Sequence, residues 1–586
     1  MRNILSAMVA EGLLPSVPAD LPVERPKRPE HGDYATNVAL ALAKAAGRPP
    51  RELAQAIADR LVDDRVIAKA EVAGPGFINL RLAEGLWGET LISILEGRPG
   101  ALRPTPARPE KVLVEFVSAN PTGPLHVGHG RGAIVGDALV SLLRAAGHEA
   151  SAEYYWNDRG NQVRLLGESV AYRYRQALDL EASAPSDENW YRGEYIAEIA
   201  RALVERDGPK HAGLPTSDPF FVSFGEERIK AWIKDDLEAL GVRFDTWISE
   251  RGLVEDGTVD RILADLRSRR AADGTPLVSA DPDGAVFLRT KQLGDEKDRV
   301  LVKSSGDLTY FGTDVPYHGH KLERGFERLI DVWGADHHGH VLRMKLALRA
   351  LGKDPAAFEV VLVQMVSVTR SGEAVVQSKR AGTFIELRGV VDEIGRDACR
   401  FFFLMRRSDS QLELDIDLAK KQSLDNPVYY IQYAHARLCS ILRRAAELEI
   451  DMAPPGEVAV ARLGAEEREV IGKLAEYPDL IADAARAREP HRVVFYIQEL
   501  AQSFASYFTR LQKVHRDTIL PQRSQRVGDW RASWDWEKTR GRLAWVAAIR
   551  RVFADALGLL GVSAPERMEK LPPGDAAVEE EEPFRA

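Results

Sequence analysis

The spacing of apolar and polar residues changes twice along the chain, and each change predicts a different architecture. In the first part, helical spacing at 34–46 and 51–61 is followed by a strand–turn–strand pattern at 72–82. From Lys111 onward, short apolar runs typical of buried strands alternate with helical segments such as 340–351. The runs lie at 111–117, 152–156, 329–333 and 360–365. This alternation predicts a parallel, doubly wound sheet.

The last ordered part of the chain carries no strand pattern. From about Pro427 to Met568, long amphipathic patterns rich in Ala, Leu and Arg predict a helical bundle. A stretch rich in Pro, Gly and Arg at 97–110 predicts a linker, and the acidic residues after Met568 predict a disordered tail. The predicted segments are an α+β domain at 1–108, an α/β domain with an insertion at 109–424, an all-α domain at 425–568 and the tail at 569–586.

Composition narrows the class of protein without fixing its partner. A chain of 586 residues is too long for one hydrophobic core, and its 45% hydrophobic and 28% charged residues are typical of soluble globular proteins. The net charge of -9 argues weakly against a nucleic-acid partner but does not exclude one, because binding depends on local charge. With two cysteines, no apolar run of bilayer length and no export signal, we expect a cytoplasmic protein with free thiols.

The most informative segment is 115–129, EFVSANPTGPLHVGH, where the first predicted strand of the sheet gives way to a helix. Ligands bind at the carboxyl ends of parallel strands, and a helix N-terminus attracts anions. His126 and His129 are predicted to project to one side, where two imidazoles can donate hydrogen bonds to a phosphate. The alternatives are two incidental surface histidines or a metal-binding pair, although no third ligand lies nearby at a convincing spacing.

This segment resembles a known family. The His-Val-Gly-His string is similar to the first motif of the class I aminoacyl-tRNA synthetases, and such a string also occurs in related nucleotidylyltransferases. The longer string at 118–132, SANPTGPLHVGHGRG, resembles the arginyl-tRNA synthetases more narrowly. The resemblance implies a Rossmann-like catalytic domain between an α+β domain that contacts tRNA and an all-α anticodon-binding domain. It also implies ATP-dependent joining of L-arginine to tRNA(Arg), with Mg2+ carried by the ATP and no dedicated metal site on the protein.

By this resemblance, the first motif binds ATP. His126 and His129 are the implied catalytic residues, which stabilise the α-phosphate while the carboxylate of the amino acid attacks it. Further implied ATP contacts are Pro121, Thr122, Gly123, Leu125 and Gly128.

A second implied ATP contact follows the third predicted strand, in the segment 334–340, which reads GADHHGH. Its three histidines suggest zinc, but class I enzymes place a Gly-x-Asp string here, near the adenosine of ATP. The resemblance therefore implies that Gly334 and Asp336 bind ATP. An alternative is that Asp336 only caps the following helix.

The segment Val376-Gln377-Ser378-Lys379-Arg380 resembles the mobile lysine loop of the class I enzymes. Lys379 takes the place of the catalytic lysine that grips pyrophosphate, and Ser378 is an implied ATP contact. The first lysine and the methionine of the family motif are replaced by Val376 and Gln377, which leaves open how much the loop contributes to ATP affinity. A charged surface loop without function is the alternative.

Selection of arginine requires carboxylates, because the planar guanidinium forms paired, charge-assisted hydrogen bonds with them. The resemblance implies that Glu115, Ser118 and Asn120 bind the amino acid near the first motif. Tyr310 and Asp314 match a Tyr-xxx-Asp pair of the family and share a helix face at this spacing. The hypothesis is that Asp314 pairs with the guanidinium while Tyr310 packs against it or bonds to it. An ordinary helix with a solvated Asp is the alternative.

The segment 155–162, YWNDRGNQ, also resembles the family and follows the second predicted strand. Gln162 is the implied arginine contact in it. A structural turn capped by Asn and Asp is the alternative.

Two further segments imply contact with tRNA. The string at 425–437, DNPVYYIQYAHAR, resembles the start of the anticodon-binding domain, and the string at 30–37, EHGDYATN, resembles the N-terminal domain of the family. The implied tRNA-binding residues are Tyr34, Asn37, Tyr430, Arg437 and Arg444. Rings can stack on unpaired bases beside arginines that meet phosphates, although at least half of the tyrosines at helical spacing are expected to pack in the core.

Three rival functions remain to be tested. One is a nucleotidylyltransferase without a tRNA substrate, which the C-terminal segment disfavours. Another is an inactive synthetase-like binding protein, supported by the altered lysine loop. The third is a class I synthetase for another amino acid, which the Tyr310 and Asp314 pair disfavours. We expect a monomer that acts on tRNA(Arg), L-arginine and ATP.

Overall fold

The computed structural model describes residues 1–568 apart from 19–20, 25, 27, 29–30, 64–65, 376–384, 459 and 514–516. The chain divides into two compact units. One comprises Met1–Leu102, Arg437–Tyr477 and Ser503–Val552, and the other comprises Arg103–Ala436, Pro478–Gln502 and Phe553–Ala586.

The N-terminal part of the first unit packs helices against a small antiparallel sheet. Its elements are α1 (Arg2–Ala10), β1 (Tyr34–Thr36), α2 (Val38–Ala46), α3 (Pro50–Leu61), β2 (Ile67–Ala73), β3 (Phe77–Leu82) and α4 (Glu84–Glu96). The strand order is β1-β3-β2, and the core includes Leu5, Val38, Leu53 and Ile78. This confirms the α+β class and the strand–turn–strand pattern predicted near residue 78.

The helix predicted to begin at Tyr34 begins four residues later, so that part of the prediction is wrong. Tyr34–Thr36 instead forms β1, which pairs antiparallel with β3 from Tyr34↔Leu80 to Thr36↔Ile78. The hydroxyl of Thr36 accepts a hydrogen bond from the amide of Val38 at 3.2 Å, which satisfies an amide at the start of α2. An aromatic and a β-branched residue fit a half-buried strand better than a first helical turn.

The second unit is built on a parallel sheet of five strands. Its first three strands and the helices between and after them come first. In chain order these are β4 (Lys111–Glu115), α5 (Val127–Ala145), β5 (Glu149–Trp156), α6 (Asn161–Ala177), α7 (Glu194–Asp207), α8 (Pro219–Ala239), β6 (Thr246–Ser249), α9 (Glu250–Glu255) and α10 (Thr258–Ser268). A small antiparallel sheet follows, with β7 (Val278–Ala280), β8 (Val286–Leu288) and β9 (Arg299–Val302) in that order. Its residues pack on the core of the large sheet through Leu288 and Leu301.

The remaining strands complete the large sheet and start a third one. These elements are α11 (Tyr310–Glu323), β10 (Arg328–Gly334), α12 (His338–Ala350), β11 (Phe358–Val363), β12 (Val366–Arg370), β13 (Glu373–Ala374), α13 (Leu387–Ile394), α14 (Arg396–Leu404), β14 (Leu412–Asp415) and α15 (Ile416–Lys420). The large sheet has the order β11-β10-β4-β5-β6, with every pair parallel. The doubly wound α/β fold is confirmed.

The strand order reverses beside β4, which sets the position of a ligand site. From β4 the chain builds outward through β5 and β6 on one side, and β10 then pairs with β4 on its other side. In such folds a crevice opens at the carboxyl ends of the two strands where the order reverses. Glu115 at the end of β4 stands directly opposite Asp331 of β10. The first predicted motif therefore begins at the topological switch point.

From Pro427 onward the described residues form helices and no strand, which confirms the all-α prediction. The helices are α16 (Pro427–Glu447), α17 (Ala465–Ala475), α18 (Tyr477–Ala487), α19 (His491–Lys513), α20 (Trp530–Ser533) and α21 (Trp536–Leu560). Over the described residues, none of the helices combines the length and the apolar character that crossing a membrane requires. The predicted tail at 569–586 lies outside the described residues.

Candidate active site

A strained turn ends β4 and fixes the first carboxylate of the site. Val117 has φ of 67° and Ser118 of 38°, and the amide of Ser118 donates to the carbonyl of Phe116 at 2.9 Å. This γ-turn ends the strand two residues earlier than predicted, and a positive φ at a β-branched residue persists only where surrounding contacts hold it. The Ser118 hydroxyl donates to Glu115 Oε1 at 2.8 Å and accepts from the Tyr155 amide at 3.1 Å, so the turn orients Glu115.

The loop after this turn is held through its backbone carbonyls. The hydroxyl of Tyr154 donates to the carbonyl of Ala119 at 3.1 Å, and the hydroxyl of Tyr195 donates to the carbonyl of Thr122 at 2.6 Å. A Cβ on Gly123 would lie 3.2 Å from the Tyr195 ring, so glycine permits this anchor. Pro121 is buried, and Leu125 is completely buried, so the Leu125 side chain packs in the core.

The two histidines of the motif stack at the start of α5. Their ring centroids lie 3.7 Å apart at an interplanar angle of 21°. His126 Nδ1 accepts from the Gly128 amide at 3.1 Å, and His129 Nδ1 accepts from the His126 amide at 3.3 Å. Because each Nδ1 is an acceptor, the proton of each neutral ring is assigned to Nε2. Two Nε2–H donors on adjacent rings suit an anion at the N-terminus of α5.

Glycine at position 128 has a structural reason. A Cβ there would lie 3.0 Å from Cε1 and 3.1 Å from Nδ1 of His126. A larger residue at position 128 would therefore push against the ring that caps α5.

Arg131, one turn into α5, ties the motif to the end of the sheet. It is completely buried, and its guanidinium donates to the carbonyls of Gln364, Arg407 and Ser410 at 2.9, 2.8 and 2.7 Å. Burial lowers the pKa of Arg131 to about 10, so it remains charged at neutral pH. The role of this residue was not predicted, although a long cation in an apolar helix signals a buried partner.

The segment that follows the lysine loop is bonded directly to the first motif. The Val127 amide donates to the carbonyl of Ile385 at 3.1 Å, and the Leu387 amide donates to the carbonyl of Leu125 at 2.8 Å. The loop itself, including Val376, Gln377, Ser378 and Lys379, lies outside the described residues.

A cavity of about 130 Å³ lies at the carboxyl ends of β4 and β10. Its lining includes six of the residues predicted to bind the amino acid or ATP, namely Glu115, Ser118, Asn120, Tyr310, Asp314 and Gly334. Gln162 is exposed on α6 and is not among the lining residues. Asp336 lies in a short 3-10 helix at Ala335–His337, and its side chain is exposed. The structure thus brings together five of the six residues predicted to bind arginine.

Beneath the cavity lies a buried network of charges. Lys321 Nζ donates to Glu115 Oε2 and to Asp331 Oδ1, the latter at 3.0 Å. Burial opposes the charge of Lys321, but Asp331 and Glu115 raise the pKa of Lys321. Burial raises the pKa of Glu115. Burial also acts against ionised Asp331, yet the charges of Lys321 and His318 hold the pKa of Asp331 below its usual value.

The same network bears on metal binding. Glu115, His318 and Asp331 place three potential metal ligands close together. Both carboxylates are already bonded to the Lys321 ammonium, which stands where a metal cation would. His318 Nε2 bonds to Asp331 at 2.8 Å, and its Nδ1 donates to the Asp314 carbonyl at 2.8 Å. The ligand atoms of this cluster are therefore bonded within the network, which holds the Glu115 carboxylate in place.

Tyr310 is the first residue of α11, and Asp314 lies one turn further along it. The hydroxyl of Thr309 accepts from the Gly312 amide at 3.0 Å and caps the helix, which fixes this turn. Asp314 is 5% exposed, whereas Tyr310 is 59% exposed at the mouth of the cavity. The charge of Asp314 raises the pKa of Tyr310, so the phenol stays protonated. Both side chains line the cavity.

The residues predicted to bind tRNA are spread over both units. Tyr34, Asn37, Arg437 and Arg444 belong to the first unit, and Tyr430 belongs to the second. The hydroxyl of Tyr34 donates to Glu476 at 3.2 Å, and Asn37 is exposed before α2. The Arg437 guanidinium lies 4.6 Å from the centre of the Phe508 ring. Arg444 forms an ion pair with Glu447 at 2.8 Å.

Comparison with known proteins covers nearly the whole chain. Family models match residues 1–82 as an arginyl-tRNA synthetase N-terminal domain, 99–409 as a class I (R) tRNA synthetase catalytic domain and 431–568 as a DALR anticodon-binding domain. The arginine–tRNA ligase of Syntrophotalea carbinolica is 46% identical over 94% of this chain and 95% of its own length. That of an Anaeromyxobacter species is 45% identical over 97% and 96%.

A solved structure shows the same fold. The arginyl-tRNA synthetase of Thermus thermophilus superposes with a TM-score of 0.72 at 23% identity, over 96% of this chain and 98% of its own. The catalytic-domain model matches more than half of the chain, and both relatives are more than 40% identical to it. Together these matches identify the family. This chain belongs to the arginyl-tRNA synthetase family of class I aminoacyl-tRNA synthetases.

Proposed function

We propose that this chain is an arginine–tRNA ligase that activates L-arginine with ATP and transfers it to the 3′ end of tRNA(Arg). Family membership supports the reaction. The observation that carries the site is the cavity at the switch point, which is lined by the carboxylates of Glu115 and Asp314. Glu115 ends the strand that leads into the motif at the start of α5, where two imidazoles can donate to a phosphate. A carboxylate-lined cavity suits a guanidinium substrate.

The first step is attack of the arginine carboxylate on the α-phosphorus of ATP. A carboxylate oxygen forms the new bond to phosphorus, the bond to the β-phosphate oxygen breaks, and pyrophosphate leaves. His126 and His129 donate through Nε2–H to the α-phosphate oxygens, on which negative charge grows in the transition state. Mg2+ carried by the ATP would offset charge on the leaving pyrophosphate.

The amino acid is held by the residues around the cavity. Asp314 pairs with the guanidinium, Tyr310 covers it, and Glu115, Ser118 and Asn120 bind the rest of the amino acid. Thr122, Gly123, Gly128 and Gly334 are the proposed backbone contacts for ATP. Gln162 and Asp336 are proposed as further contacts of the arginine and of the ATP, although neither lines the cavity.

Lys379 is proposed to meet the pyrophosphate from the lysine loop. It stands six residues before Ile385, whose carbonyl is bonded at the start of α5. Six residues span at most about 20 Å, so chain length allows Lys379 to reach His126 and His129. A lysine suits this task because it is a compact charge on a flexible stem.

In the second step, a hydroxyl of the terminal tRNA ribose attacks the carbonyl carbon of arginyl-adenylate. The new ester bond forms, and AMP leaves with the electron pair of the broken carbon–oxygen bond. We place the N-terminal domain (1–108) and the helical domain (425–568) on the tRNA, with Tyr34, Asn37, Tyr430, Arg437 and Arg444 as contacts. A monomer in the cytoplasm is the proposed working form.

The reaction is tested by incubating the purified chain with ATP, total tRNA and each labelled amino acid in turn. Among the amino acids, only arginine is expected to be charged, because the cavity carboxylates select a guanidinium. Charging also requires tRNA, which is the acceptor. Equal charging with lysine would exclude the proposed pocket. Release of pyrophosphate without any charging would instead favour a nucleotidylyltransferase.

A further inference from the structure

His340 makes the side-chain hydrogen bond to the carboxylate of Asp314. The Nε2 of His340, on α12, lies 3.0 Å from Oδ2 of Asp314, on α11. The two side chains are 13% and 8% exposed, so the bond is largely shielded from water. Both residues line the cavity at the switch point.

The His340 ring is held in place by aromatic neighbours. Its centroid lies 5.9 Å from that of Tyr310 and 5.5 Å from that of Trp333. Phe311 meets it edge to face at 5.8 Å and 81°. Rings packed on several sides restrict the rotation of the imidazole, so Nε2 stays directed at Asp314.

The chemistry of this partner differs from that at Glu115. The carboxylate of Glu115 is bonded to the Lys321 ammonium, which compensates its charge. His340 donates through Nε2–H to Oδ2 of Asp314, which fixes one oxygen of the carboxylate. The other oxygen is left for a planar cation.

We infer that His340 is a positioning residue for guanidinium substrates, which holds Asp314 in the orientation that pairs with the guanidinium. The inference rests on the proposed function, since it requires that this cavity binds arginine. His340 acts on the substrate through Asp314. It is therefore expected to affect the arginine KM rather than kcat.

The test compares His340→Gln, His340→Asn and His340→Leu in arginine charging. A glutamine places its amide nitrogen near the position of Nε2, whereas asparagine carries the same amide but is too short. His340→Leu and His340→Asn are expected to raise the arginine KM about tenfold, with kcat and the ATP KM changed less than about threefold. His340→Gln is expected to stay within about threefold of the original KM.

A double-variant cycle with Asp314→Asn completes the test. In that background His340→Leu is expected to change the arginine KM less than about twofold, because the carboxylate it positions is gone. Equal KM values for the Gln and Asn variants, or an undiminished Leu effect in the Asp314→Asn background, would overturn the inference. An unchanged KM for Asp314→Asn alone would instead overturn the proposed arginine pocket. Thermal melting of each variant identifies those that fail to fold, and the Gln and Asn pair then carries the test.

Discussion

Replacing His126 with asparagine is expected to lower kcat for arginine activation by about 100-fold or more. The imidazole has two separate tasks in the proposed site, since Nδ1 caps α5 by accepting from the Gly128 amide and Nε2–H donates to the α-phosphate. An asparagine side chain caps a helix well, so it retains the first task. It has no donor at the position of Nε2. The variant is therefore expected to lose activity, measured by arginine-dependent pyrophosphate exchange, and to keep its fold, measured by thermal melting.

His148→Asn is the matched control for this variant. His148 follows the opposite end of α5, and its Nδ1 accepts from the Glu110 amide at 3.3 Å. The same substitution there is expected to leave kcat within about twofold, because α5 separates the two positions by roughly 28 Å at 1.5 Å per residue. Full activity of His126→Asn would remove His126 from the phosphate site and leave it only a helix cap.

Replacing Asp314 with asparagine is expected to raise the KM for arginine at least about tenfold, which corresponds to about 1.4 kcal/mol of lost binding. The Asp314 side chain is 8% exposed, so its interaction with a guanidinium is little screened by water. An asparagine has nearly the same shape but carries no charge and offers one acceptor in place of two. The KM for ATP is expected to stay within about twofold of that of the original chain, since the lost interaction is with the amino acid and not with ATP.

Asp307→Asn is the control for the loss of one negative charge. Asp307 stands seven residues earlier on an exposed turn, where it accepts from the Ser305 hydroxyl at 2.8 Å. The arginine KM of this variant is expected to match that of the original chain. If Asp314→Asn behaved in the same way, the guanidinium would have to bind elsewhere.

Much of the fold could be predicted because the buried strands are continuous apolar runs. The strands Lys111–Glu115 and Phe358–Val363 contain the apolar runs 112–114 and 360–363 and start within two residues of their predicted starts. The edge strand Thr246–Ser249 was not predicted, because it is four residues long and only half-buried. Local spacing also placed Tyr34 in a helix, although pairing with β3 decides its conformation.

The site residues that lie in a recognisable sequence motif could be predicted. Glu115, Asn120, Tyr310 and Asp314 come from segments with a recognisable string, and they line one cavity. The motifs did not assign the residues that hold these side chains. Those residues are His318, Lys321, Asp331 and His340.

Two signals for these partners were nevertheless present in the sequence. Asp331 is a lone carboxylate within the buried strand Arg328–Gly334. Asp314, His318 and Lys321 follow one another at spacings of four and three residues, which places them on one face of α11. Charged residues on a helix face that packs against a sheet are expected to be paired with buried charges.

The central claim is that two imidazoles and the loop lysine meet one triphosphate beside the carboxylate that binds the guanidinium. The most direct measurement is a crystal structure of the chain with arginine, a non-hydrolysable ATP analogue and tRNA. It is expected to show His126 and His129 Nε2 at the α-phosphate, Lys379 at the β- and γ-phosphates, and the guanidinium within hydrogen-bond distance of Asp314. A triphosphate bound away from the N-terminus of α5, or an arginine bound outside the cavity of Asp314, would contradict it.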